Sequence, residues 1–252
     1  MSQAEFRADN PYASFGNTFA IDAPATERLA FIKRTYLHLA MAVYAVVVLE
    51  WAMFTFIPGE VVVRLISLPY AMLVMFGSFM LVSFLAERWA RSSTSLAVQY
   101  LGLGAYVVAW SVFLFPMLWF AQTFALKMDV AGTQLGVVPA AGLATAVIFA
   151  LMTIIVFATR KDFSFLGPAL AIAGFVALGL ILLGAFGLLQ LGPLFSIVMI
   201  GFAACYILYD TSNVLHHYRT EQHVAASLAL FASVALLFWY ILQLFIALSG
   251  RD

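Results

Sequence analysis

The chain has 252 residues, 65% of them hydrophobic and only 10% charged, with twelve Lys and Arg balancing twelve Asp and Glu. A water-soluble domain of this length needs far more charge to cover its surface, so the composition excludes that class and predicts an all-α, polytopic membrane protein. Zero net charge gives no basis for nucleic-acid binding. The lone cysteine, Cys205, lies in an apolar run, which argues against a disulfide framework or a zinc site of Cys/His spacing.

Residues 1–34 read as a flexible cytoplasmic tail, punctuated by Asn10–Pro11, Gly16–Asn17 and Ala23–Pro24, with no cleavable signal peptide. Thr26 to Lys33 is expected as a short helix leading into the membrane. The transmembrane domain, 35–252, holds seven apolar stretches near 35–56, 65–86, 96–126, 136–159, 165–189, 194–214 and 224–248. Each approaches the roughly 20 helical residues that cross a bilayer. The third is overlong and contains Pro116, which predicts a tilt or kink. Continuous rather than alternating apolar runs argue against a β-barrel.

The basic residues predict orientation. With the N-terminus inside, the inner segments carry Arg7, Arg28, Lys33, Arg34, Arg88, Arg91, Arg160, Lys161 and Arg219, and the outer ones Arg64, Lys127 and Arg251. This bias predicts N-in and C-out. Trp51 and Trp119 suit the outer interfacial belt and Trp89 the inner one.

Three acidic or histidine side chains fall within these spans: His38, Glu50 and Asp210. His38 is one turn into the first helix and reads as snorkelling or helix-bonded. Glu50, beside Trp51, is expected to be interfacial. Asp210 sits inside the sixth span, where a carboxylate costs about 2.5–3.5 kcal/mol on insertion scales, and this marks it as a functional-site candidate. Gly102–Gly104 and Ala140–Ala141–Gly142 are expected to serve close helix packing. His216, His217 and His223 raise a metal site, but neighbouring histidines on a helix diverge by about 100° and only Glu221 adds a ligand, so a solvated turn is the expectation. No phosphate-binding glycine loop is present. A single intramembrane aspartate, with no Ser/His pair at similar depth, argues against an enzyme of the intramembrane-protease type. No cofactor is implied.

Tyr206-Ile207-Leu208-Tyr209-Asp210 resembles the sixth-helix signature of the Bax-inhibitor (transmembrane BAX inhibitor motif) family. Arg160-Lys161-Asp162-Phe163-Ser164-Phe165-Leu166-Gly167 resembles that family's loop between helices four and five, and Lys33-Arg34-Thr35-Tyr36 its start of helix one. Asp210-Thr211-Ser212-Asn213 and the closing Gly250-Arg251-Asp252 are closer still to the bacterial YccA-like branch, modulators of the membrane protease FtsH. The resemblance covers residues 33–252 in scattered form. It implies seven helices with six packed around a central C-terminal one. It also implies a proton-sensitive aspartate pair that gates calcium leak, and a bacterial inner-membrane location.

Asp210 matches the first aspartate of that pair, and the second position falls on Ser233. Losing the second carboxylate removes the like-charge repulsion that sharpens a pH response, and one carboxylate with a hydroxyl is a weak calcium site. This argues against a leak of the paired-aspartate type. Helical rise puts Asp210 and Ser233 within about 5 Å of a common depth, which allows contact across the last hairpin. Tyr206, Asn213 and His217 share the Asp210 face by spacing and are candidates for a polar cluster. Arg88 or Arg91, at the inner end of helix two, is a candidate latch. A paired arginine favours a charged carboxyl and burial alone a neutral one, and the residues leave both open.

Two functions are carried forward. One is an inner-membrane regulator that engages FtsH and its partner complex through the tail, which is polar enough for an ATP-driven protease to grip. The alternative is a pH-sensitive cation leak, of calcium or protons, gated by Asp210. A purely structural role for Asp210, pinning the sixth helix to helix two or seven, is the third reading.

Overall fold

The computed structural model describes residues 18–91, 95–124, 126–130 and 132–249. Among them the elements run α1 (Ala25–Phe56), α2 (Gly59–Ile66), α3 (Ala71–Ala90), α4 (Leu96–Thr123), β1 (Lys127–Val130), β2 (Thr133–Gly136), α5 (Val137–Thr159), α6 (Leu166–Ala185), α7 (Pro193–His216) and α8 (His223–Ser249). Seven of these helices are long and apolar enough to cross a bilayer, so the chain is a multi-pass membrane protein. Helices satisfy their own backbone groups, as hydrocarbon demands.

α1 begins at Ala25 rather than near Thr35, so Thr26–Lys33 forms its first turns instead of a separate helix. Pro24 at the cap needs no N–H partner, and Glu27 in the first turn complements the helix dipole. The segment before it is anchored. The Ala20 N–H donates to the Tyr218 carbonyl at 2.9 Å, the Thr220 N–H donates to the Thr18 carbonyl at 3.3 Å, and Ala20 is fully buried. The tail reading for residues 1–17, the charges Arg7 and Arg251, and the Gly250-Arg251-Asp252 motif lie outside the described residues.

The expected span 65–86 is in fact two pieces. α2 ends at Ile66, Tyr70 takes a left-handed conformation (φ 63°), and α3 runs from Ala71 to Ala90. Pro69 explains the break, because a proline disfavours helix in the residue before it. Arg64 thereby lies in the last turn of α2, where a cation is favoured. The link between α4 and α5, in a chain expected to be all-α, is a β-hairpin with Lys127 opposite Gly136 and Asp129 opposite Gln134. Gly132 supplies its positive φ (81°), and its N–H donates to Asp129 Oδ1 at 2.8 Å.

α8 packs against α1, α3, α4, α5 and α7, while α6 stands on the flank against α7. Val224, Ala226, Leu230, Leu237 and Leu242 of α8 are fully buried, as contact with five other helices requires. Phe175 and Ile172 of α6 face outward, where lipid replaces water as solvent. Gly102 allows the closest helix approach. A Cβ there would stand 2.5 Å from the Ala86 carbonyl oxygen and 2.7 Å from the Ala90 nitrogen, so α3 and α4 touch backbone to backbone. Gly104 and Gly142 have no such neighbour, so the small-residue expectation holds at Gly102 and fails at those two positions.

Candidate functional site

Residues 217–222 join α7 to α8 in a tight turn, closed by the Gln222 N–H on the Arg219 carbonyl (2.9 Å) and the Arg219 N–H on Gln222 Oε1 (3.0 Å). So short a link fixes the register of the two antiparallel helices. Asp210 lies about 9 Å back from His216 and Ser233 about 15 Å on from His223, and the two meet across the hairpin. The Ser233 hydroxyl donates to Asp210 Oδ2 and also lies 3.2 Å from the Ala229 carbonyl one turn back. Asp210 is 7% exposed and Ser233 4%. A buried carboxyl is thus met by one donor from α8.

The neighbourhood differs from the face drawn by helical spacing. His217 is exposed and donates from Nε2 to Asp162 Oδ2 at 2.9 Å, so it serves a second site rather than the Asp210 cluster. Tyr206 packs edge-on against Phe202 and points its hydroxyl toward Gly174 of α6. The Asn213 carbonyl accepts from the N–H groups of His217 and Tyr218 at 2.8 and 2.9 Å, ending α7. Shared face is a property of one helix. Which neighbour that face meets is not. Arg91 lies within electrostatic reach of Asp210, but its direct partner is Glu87 at 2.7 Å, and Arg88 is exposed.

The second site clamps the α5–α6 loop onto the end of α7. The Phe163 N–H donates to Ser212 Oγ at 2.8 Å, the Ser212 hydroxyl to Asp162 Oδ1 at 3.3 Å, and the Ser164 N–H to the same oxygen at 2.9 Å. Partial desolvation pushes the Asp162 carboxyl up, but the Ser164 amide, the His217 imidazole and the Ser164 side chain outweigh it and hold the pKa down at about 2. Asp162 belongs to a motif legible in the sequence, but its role shows only once the fold brings Ser212 and His217 beside it.

A third cluster ties α1, α4 and α8 together. His38 Nδ1 lies 2.7 Å from the Arg34 carbonyl, which is the helix-bonded state expected for it. Its Nε2 lies 2.8 Å from the Tyr100 hydroxyl, which is also 3.4 Å from His223 Nε2. Among the described residues, no three His, Cys, Asp or Glu side chains converge as a set that holds a metal ion.

Glu50 departs most from expectation. It is buried at 7% exposure rather than turned outward, and neither carboxyl oxygen has a hydrogen-bond partner. Its neighbour Trp51 points outward at 66% exposure. One step along a helix turns a side chain by about 100°, so adjacency to an interfacial tryptophan says nothing of which way the acid faces.

The family model described as inhibitor of apoptosis-promoting Bax1 matches residues 28–250. The chain is 32% identical to the protein LIFEGUARD 3 of Arabidopsis thaliana over 161 residues, 60% of this chain and 58% of that protein. It is 28% identical to the Golgi anti-apoptotic protein of vaccinia virus over 241 residues, 92% of this chain and 90% of that one. An uncharacterized protein of Pseudomonas aeruginosa, PA2604, is 33% identical over 111 residues, 43% of this chain and 49% of its own length. The matches to the Arabidopsis and Pseudomonas relatives thus span about half to three fifths of those proteins.

Proposed function

The chain belongs to the family of inhibitors of apoptosis-promoting Bax1, and on that premise we propose that it is a non-enzymatic membrane regulator whose activity is a pH-responsive cation leak, shut at the contact between α7 and α8. The observation that carries this reading is the Ser233 hydroxyl on the buried Asp210 carboxyl, at the only aspartate within the described spans. A proton moving on or off that carboxyl changes the bond that closes the hairpin, and intramembrane acids of this kind mark ion and proton paths. Arg91 and Glu87 at the end of α3 form the charged surround that such a gate would release or recruit. The lone carboxylate favours a weak site and passage over tight calcium binding. The basic end, with Arg34, Arg91, Arg160 and Arg219, faces the cytoplasm in this reading.

Flux through liposomes holding the purified protein tests it. Asp210→Asn should alter the pH dependence of calcium or proton leak. Absence of flux from the wild type at every pH, acidic or neutral, removes the proposal.

A second reading is favoured by the docked segment at residues 18–20. It pairs with the α7–α8 turn, so a partner that grips the tail pulls directly on the hairpin that Asp210 closes. In a bacterial inner membrane the partner would be FtsH with its associated complex. Removing residues 2–17 leaves the docked segment in place and should abolish co-purification with FtsH. Undiminished co-purification of that variant refutes the tail as the handle.

A further inference from the structure

We propose that the groove between α1 and α5 is a binding site for a lysophospholipid, with its single acyl chain along the groove, its free glycerol hydroxyl on Glu50 and its phosphate toward Lys127. This reading is independent of the Asp210 gate. The groove has a volume of about 1140 Å³ and is walled by Leu39 and Val47 of α1 and Phe149 of α5, with Phe231 and Phe238 of α8 as its floor. Such a size lies a little above the roughly 300–1,000 Å³ usual for ligand pockets, as suits a long acyl chain. At one end Tyr36 closes it, its ring centroid 6.4 Å from that of Phe149 and 6.0 Å from that of Phe157.

Toward the other end stands Glu50. A carboxyl out of water with neither oxygen bonded costs far more than an apolar residue in its place, so the groove asks its occupant for a donor. None of the polar lining bonds that carboxyl: the Thr145 hydroxyl is spent on the Ala141 carbonyl at 2.8 Å, and the Gln122 amide, also in the lining, makes no bond to either Glu50 oxygen. Helical rise puts Glu50 about 21 Å from Tyr36 and about 9 Å from the end of α1. The first distance is a run for one extended chain, and the second places the donor at the boundary between acyl chains and headgroups. Lys127, on β1 just beyond that level, also lines the groove and offers a cation to a phosphate.

The order of groups along the groove therefore reads aromatic stop, apolar slot, hydrogen-bond acceptor, cation. A lysophospholipid presents the matching order of chain, hydroxyl, phosphate. A diacyl phospholipid has both inner glycerol oxygens esterified and carries no donor at that level.

Purified wild-type protein, incubated with oleoyl lysophosphatidylcholine and examined by native mass spectrometry, should retain one lipid. Three changes should each weaken retention by about tenfold or more, the first two through the loss of one bond to a carboxylate and the third by filling the slot that the chain needs. They are Glu50→Met in the protein, methylation of the lipid's glycerol hydroxyl, and Gly142→Leu, whose side chain would enter open space in the groove. Equal retention of the methylated lipid by the wild type overturns the proposal, and needs no variant to fold. So does unchanged retention by Glu50→Met, or equal competition by diacyl phosphatidylcholine.

Discussion

Replacing Ser233 with alanine isolates the contact on which the gate reading turns. The substitution deletes one oxygen at a site 4% exposed, leaves the Ala229 carbonyl its ordinary helical partner, and strips Asp210 Oδ2 of the donor that meets it. Two magnitudes bear on the cost. Hydrogen bonds between transmembrane helices average only about 0.6 kcal/mol and reach about 1.7, because the separated helices also find partners. A bond to a carboxylate whose removal leaves a buried acceptor unsatisfied costs about 1.5–3 kcal/mol. Asp210 is 7% exposed and has few routes to a substitute donor, so the larger effect should win and Ser233→Ala should destabilise by about 1.5–2 kcal/mol. The assay is reversible unfolding in mild detergent or bicelles for wild type, Ser233→Ala, Asp210→Asn and the double variant. If the bond carries the energy, the double variant is milder than the sum of the singles by about 1 kcal/mol or more. Additive singles, or Ser233→Ala indistinguishable from wild type, would refute the claim that this pair holds α7 to α8.

Gly102→Val should destabilise by about 1–3 kcal/mol, because its Cβ would meet the Ala86 carbonyl at 2.5 Å, whereas Gly104→Ala meets nothing and should leave the thermal midpoint unchanged or slightly raised. The Asp162 clamp should survive acidification that alters the leak. Its carboxyl titrates at about 2, below the ordinary carboxylate value near 3.9, so the clamp's contribution is complete above about pH 4 and is lost as pH falls toward 2. Hydrogen-exchange protection of the Phe163 and Ser164 amides should accordingly stay level from neutral pH down to about pH 4.5, and earlier loss contradicts the assignment. Tyr100→Phe removes the hydroxyl between His38 and His223 and should cost about 1 kcal/mol in the same unfolding assay.

Composition and run length alone fixed seven helices long and apolar enough to cross a membrane, because hydrocarbon leaves few structures for runs of twenty apolar residues. The sequence also placed the candidate acid on α7 opposite Ser233, since rise per residue and a short turn fix the register of a hairpin. What it left undecided were rotations and distant partners. Glu50 faces a groove rather than an interface because the packing of α1, α4, α5 and α8, and not its neighbour Trp51, sets which side of α1 turns inward. His217 joins Asp162 instead of Asp210 because the end of α7 meets the α5–α6 loop, a contact between residues far apart in the chain. Periodicity states which residues share a face. Only the packed bundle decides what that face meets, because in lipid every helix is apolar enough to pack against any other and the choice falls to close shape and a few polar bonds.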